Sequence, residues 1–237
     1  MIDETTDKGR IISATMRLAA DRPWDSVVMR DIADAAGLDL VAMRKAFPSK
    51  VAILSAFSRA IDDAVLARVP RFTDGEAARD RLFDVIMIRF DVLSPYKAAL
   101  RSIHATRAMD AELVRRMMAT QAWMLHAAGI PTDGIMGLAR VGGLASIYAS
   151  VLETWLEDDD PGHGRTMAAV DRRLKRGEQA VRTLGDAMQG VSRLADGVRD
   201  VMRGTTVRRS GSAPGTPTPQ SASPTEPRDV TPPAAAL

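Results

Sequence analysis

The pattern of apolar and polar positions along the 237-residue chain is helical almost throughout. From about Thr6 to Ala20, Ile11, Ile12, Thr15, Leu18 and Ala19 recur at the spacing that one side of an amphipathic helix requires. Pro23 cannot continue that helix, and Trp24 behind it is placed to anchor the connection in a core. A short helix is predicted from about Val28 to Ala35. Gly37 then supplies a residue tolerant of positive φ for a tight turn, and a second short helix occupies about Asp39 to Ala46. Phe47-Pro48-Ser49 ends it, with Ser49 set to cap a longer helix from Lys50 to about Arg68.

Beyond the polar break from Pro70 to Glu76 the helical period returns. Helices are expected near 78–93, 96–107, 110–128, 133–157 and from 164 onward. They are separated at Ser94-Pro95, near Asp110, at Gly129-Ile130-Pro131 and at the acidic loop Asp158-Asp159-Asp160-Pro161-Gly162. Gly142 and Gly143 inside a helix each cost roughly 1 kcal/mol relative to Ala. Close approach of another helix, such as a dimer seam, would offset that cost. A long final helix is expected where Val181, Leu184, Met188, Val191, Ala195, Val198 and Met202 keep three-four spacing. Its partner is left open between a second copy, a membrane surface and its own body. From Gly204 the apolar period is lost and seven of the chain's 13 prolines crowd into the last 34 residues, so a disordered tail is expected. The organisation read from the sequence is therefore a helix-turn-helix unit over 1–70, a helical body over 71–203 and a tail over 204–237. No stretch alternates β-branched with polar residues, so the fold class is all-α.

Composition alters this picture at few points. Aromatic residues are only 4% of the chain, so packing falls to aliphatic side chains and 13 methionines. The absence of cysteine excludes disulfides, thiolate nucleophiles and Cys-ligated zinc. His104, His126 and His163 lie far apart without metal-ligand spacing, and Glu157–Asp160 lacks the spacing of a calcium loop and reads as a solvated connection. No Gly-rich phosphate loop follows a strand. No enzyme, cofactor or metal site is expected. The longest near-apolar run, Val141–Leu152, is too short to span a bilayer. The N-terminal helix is amphipathic behind Asp3, Glu4 and Asp7, unlike a signal peptide. A cytoplasmic protein is the resulting expectation.

The run Val28 to Leu38 carries the most specific signal. Ile32 and Leu38 suit a small three-helix core, Ala33 and Ala36 let two short helices cross closely, and Met43 and Phe47 return apolar surface to the same core. Two short helices joined by such a turn form the unit whose second helix enters a DNA major groove. With Ile32-Ala33, Ala36-Gly37-Leu38, Phe47-Pro48-Ser49-Lys50 and Ile53-Leu54 in fixed register, the segment resembles the TetR family. That resemblance implies a homodimer that reads DNA and carries a small hydrophobic ligand in its helical body. It places Arg30, Asp39, Val41, Arg44, Lys45, Ser49 and Lys50 toward DNA, Lys50 matching the family's phosphate-contacting lysine. Several of these positions depart from the family pattern. Val28 lacks the usual hydroxyl, Asp39 replaces a serine, and Ala42, Arg44 and Ala46 replace Thr, Tyr and His. Between Arg22 and Arg59 there are six basic and four acidic residues, which permits phosphate binding without demanding it.

In the body, Trp123, His126, Tyr148 and Trp155 lie on two helices that can face each other, and the resemblance implies that this region lines a ligand pocket. Plain core is the alternative reading of the same residues. The stretch from Ile147 to Asp160, followed by Thr166 to Leu174, is also similar to the C-terminal part of the lipid-binding proteins of ubiquinone biosynthesis. That similarity implies a second possibility, a lipid-binding accessory protein that docks on membranes and does not bind DNA.

Overall fold

All regular structure among the described residues is helical; the computed structural model describes residues 2–73, 75–106 and 111–180. Helix α1 (Asp7–Asp21) starts where the Thr6 side chain accepts a hydrogen bond from the Gly9 N–H at 3.1 Å. It buries Ile11, Ile12, Thr15 and Ala19. A 3-10 turn (Trp24–Ser26) sinks Trp24 into the core, and α2 (Met29–Ala35), α3 (Leu40–Ala46) and α4 (Lys50–Leu66) complete the N-terminal unit. Gly37, between α2 and α3, has φ +68°, the left-handed region where a side chain would strain the turn. Ile32, Ala33, Ala36, Met43 and Phe47 are buried together beneath α1. The three-helix core therefore closes on the residues whose spacing predicted it.

The body consists of α5 (Ala78–Leu93), α6 (Lys97–Ala105), α7 (Ala111–Ala127), α8 (Gly134–Glu157) and α9 over residues 164–180. At the centre, the Phe90 ring stacks on Tyr148 at 5.4 Å and on Trp155 at 5.2 Å. Two seams join the unit to the body. Helix α1 packs along α6, and the Ser102 hydroxyl on α6 accepts from the Trp24 N–H at 3.0 Å and donates to the Arg22 carbonyl at 3.1 Å. Helix α4 packs on α5 and α7. Thus the loop that opens α2 is bonded directly to a helix of the body.

Two expectations change here. The acidic loop is not simply solvated. Asp158 is buried and accepts from the Thr166 N–H at 2.9 Å and hydroxyl at 2.7 Å, which ties α8 to the first turn of α9. Burial pushes its carboxyl up, but the bonds from Thr166 outweigh that and hold it below the ordinary carboxylate value. Asp159 pairs with Arg101 at 2.5 Å, and Asp160 accepts from the N–H groups of Gly162 and Gly164. The second change concerns α8. The helix is 24 residues long and, by length and composition alone, apolar enough to cross a membrane. The run Val141–Leu152 understated it because flanking small and apolar residues continue the helix. Its Val141, Leu144, Tyr148, Val151 and Trp155 are buried on the body, as a core helix requires. The expected final helix beyond Val181 and the tail from Gly204 lie outside the described residues.

Candidate nucleic-acid interface and interior cavity

The outward side of the helix-turn-helix is built mainly from α3. Asp39 caps it, its carboxylate accepting from the Ala42 N–H at 2.7 Å, and the helix dipole favours that charge there. Val41, Arg44 and Lys45 then project outward, and Leu40 is exposed beside them. Arg30, on the first turn of α2, is exposed too. Val28 precedes α2 with no side-chain cap, so Asp31 compensates by accepting from the Val28 N–H at 3.4 Å and from Arg22 at 2.5 Å. The surface is a mixed one. It carries three exposed cations, Arg30, Arg44 and Lys45, and the exposed apolar side chains of Val28, Leu40 and Val41, with Asp39 at the start of α3.

Ser49 and Lys50 have other partners. The Ser49 hydroxyl accepts from the Ala52 N–H at 3.1 Å and caps α4. The Lys50 ammonium donates to the carbonyls of Trp24 at 3.1 Å and Val27 at 2.8 Å, and sits 4.2 Å from the Trp24 ring centroid. Burial lowers its pKa, while Asp25 opposes that shift. Lys50 therefore pins the turn ahead of α2 against α4. This role has no signature in the sequence, because its acceptors are backbone carbonyls more than twenty positions away.

Residues 11–57 match the family model for bacterial regulatory proteins of the tetR family, a segment that runs from within α1 to the middle of α4. The N-terminal unit is a TetR-type helix-turn-helix domain. The structure as a whole is similar to that of a TetR transcriptional regulator from Rhodococcus sp. RHA1, with a TM-score of 0.58 at 20% identity over 74% of this chain and 97% of that one. It is equally similar to the TetR transcriptional regulator from Nitrosomonas europaea, with a TM-score of 0.58 at 21% identity over 73% and 98% of the two chains. At that identity the likeness shows a shared fold, helical body included. No curated protein matches the chain.

Between α4 and the helices of the body lies a cavity of about 1270 Å³ that is open to solvent on one side. Helix α4 lines it with Leu54, Phe57 and Ile61, and α6 lines it with Leu100 and Ile103. Helices α5, α7 and α8 complete the wall. Its buried side is polar. Asp62 accepts from Arg89 at 2.6 Å, from Arg116 at 2.5 Å and from Thr120 at 3.0 Å, and Arg89 also donates to the Tyr148 hydroxyl at 3.1 Å. Burial favours the neutral form of Arg89, but Tyr148 and Asp62 outweigh it and keep the guanidinium charged. Burial pushes the Tyr148 phenol up, only partly offset by Arg89. Next to this network, Gln121 is wholly buried, and among the described residues neither its amide oxygen nor its amide nitrogen has a hydrogen-bond partner. Burying such a group unpaired costs about 1–3 kcal/mol.

Of the four residues expected around a ligand, Tyr148 alone lines this cavity. Helix α7 turns Thr120, Gln121, Met124 and Leu125 inward, which puts Trp123 and His126 on its outer face in edge contact with each other at 5.7 Å. Trp155 is sealed in the core against Phe90. Both faces of α7 carry apolar residues, so its rotation is not readable from the period. Gln121, Arg116 and Arg89 were missed because a lone polar residue on an apolar helix has no motif to mark it. Outside the cavity, Trp123, Ile135 and Leu138 form exposed apolar surface, and Ile135 is 77% exposed. A Cβ added at Gly142 or Gly143 would meet no atom within 4 Å. Among the described residues no group of three His, Asp or Glu is placed to hold a metal ion.

Proposed function

We propose that the chain is a cytoplasmic, homodimeric transcriptional regulator that binds DNA through α2 and α3 and is controlled by a small molecule held in the body. The observation that carries this reading is the TetR-type helix-turn-helix with Val41, Arg44 and Lys45 pointing away from its own core on α3. In this reading Arg44 and Lys45 meet phosphates or a guanine edge, Arg30 meets the flanking backbone, and Val41 offers apolar contact to a thymine methyl. Asp39 and Ser49 set the helix ends, and Lys50 sets the angle at which α2 leaves the core. Two such units must sit about one DNA turn apart, roughly 34 Å, which requires a dimer. The exposed Trp123, Ile135 and Leu138, with the open surface over Gly142 and Gly143, supply a self-complementary face for one.

Control follows from the two helices that the cavity shares with the DNA-binding unit. Helix α6 lines the cavity and holds the Arg22–Trp24 loop through Ser102; α4 lines it too and holds the same loop through Lys50. A ligand that packs better against one placement of these helices selects one spacing of the two DNA-binding units. The test is binding to the DNA flanking the protein's own gene, measured by fluorescence anisotropy against salt. A steep loss of affinity with salt is expected. Absence of salt-dependent binding, together with isoprenoid lipid co-purifying with the protein, would favour the lipid-binding accessory reading instead.

A further inference from the structure

The polar wall of the cavity has the chemistry to choose its occupant. We propose that the cavity takes an amphipathic anion, a carboxylate or similar oxyanion on an apolar body, with the head group at Arg116 and Gln121. The inference rests on the ligand-controlled reading above and specifies its ligand class.

The first argument is charge. Two guanidiniums, Arg89 and Arg116, share one carboxylate, Asp62, and the side chains of Arg89 and Asp62 are 7% and 6% exposed. The third partner, Thr120, and the phenol of Tyr148 are neutral, and Arg116 is 18% exposed, so among the described residues this mostly buried cluster carries one uncompensated positive charge. Such an excess is costly away from water, and an anion placed beside it is correspondingly favoured. The second argument is hydrogen bonding. The Arg116 Nε–H and both polar atoms of the Gln121 amide are buried without partners among the described residues, and both side chains line the cavity. An oxyanion is the kind of acceptor that the Arg116 Nε–H and the Gln121 amide N–H both lack, and charge-assisted bonds to such an acceptor are the strong ones. The remaining wall from Leu54, Phe57, Leu93, Leu100 and Leu152 is apolar and suits a hydrocarbon or ring body. Carboxylates do stand on the lining, at Glu153, Glu157 and Asp159, but all three are exposed, and Asp159 is already paired with Arg101. Solvent screens them more strongly than the mostly buried charge of Arg116.

The full chain is titrated calorimetrically with decanoate, decylamine and 1-decanol, and with 2-naphthoate against 2-naphthol. The acids are expected to bind at least about tenfold more tightly than their uncharged or cationic counterparts. R116M removes the excess charge yet leaves the Asp62–Arg89 pair intact, and it should abolish the preference for the acids while sparing the alcohols. R116K should restore part of it. Q121L replaces the amide with an apolar side chain of comparable bulk and should weaken the acids about tenfold while raising the melting temperature of the ligand-free protein, because it deletes an unpaired buried amide. Equal affinity across each series, tighter binding of decylamine, no binding by either acid, or unaltered acid affinity in both R116M and Q121L would each overturn the proposal. None of these readouts uses DNA. Selective acid binding by a protein that shows no salt-dependent DNA binding would uphold the anion site and remove the regulator reading.

Discussion

At the scale of single residues, neighbouring cations on one small domain have different work. Lys50 is bonded to two backbone carbonyls and lies over Trp24, whereas Arg44 points into solvent. Lys50→Met should therefore lower the stability of the protein by about 1–3 kcal/mol, seen as an earlier thermal transition. Arg44→Ala should leave that transition in place but weaken DNA binding and reduce its salt slope by about 1. If Lys50→Met melted like the wild type, the pinning role would be wrong. Asp62 is the residue on which four helices depend, since it receives Arg89 from α5 and Arg116 and Thr120 from α7, with Tyr148 of α8 joined through Arg89. Asp62→Ala strands two guanidiniums and should cost about 3–5 kcal/mol in chemical denaturation. A loss under 1 kcal/mol would show that water solvates the cluster.

Elements carry a different kind of information, because each helix end must satisfy its own backbone groups. Thr6, Asp39 and Ser49 do so for α1, α3 and α4 with side-chain oxygens, Ser49 as the sequence predicts. Helix α2 begins at Val28 with no such oxygen, and Asp31 bonds the Val28 N–H but leaves the donors of the first turn open. Val28→Thr should therefore add about 0.5–1 kcal/mol, read as a later thermal transition. No stabilisation would mean that the turn does not allow the hydroxyl to reach the N3 amide. The breaks between elements were legible for the same reason that caps are. Proline, glycine and short polar side chains act through backbone geometry, which is local. The rotation of α7 was not legible, since Trp123 and Met124 look alike in a pattern while one faces outward and the other is core.

For the whole molecule the open question is how the outer faces of α7 and α8 are covered. Ile135 and Leu138 are the two most exposed large apolar residues among those described, and they stand beside the unobstructed glycine pair of α8. The double variant I135K/L138K should turn a dimer into a monomer in light scattering coupled to size exclusion. DNA affinity should fall with it, because half-sites one turn apart need both units. A variant that stayed dimeric would place the interface elsewhere. In the proposed regulator α4 and α6 would couple the domain to the body, because each touches both the cavity and the loop leading into α2.

The sequence by itself determined the helices, their ends and the TetR-type core, because periodicity, caps and turn residues are properties of short segments. The family resemblance placed Val41, Arg44 and Lys45 on the outward side of α3, where they are exposed. Only the tertiary structure decided what surrounds Lys50, Arg116 and Gln121. Their partners, or the lack of them, come from helices distant in the chain, and a hydrogen bond that is not made leaves no trace in a pattern of residues. Tertiary structure also moved the expected pocket from Trp123, His126 and Trp155 to the wall that keeps Tyr148, because packing fixes the rotation of a helix that is apolar on two sides.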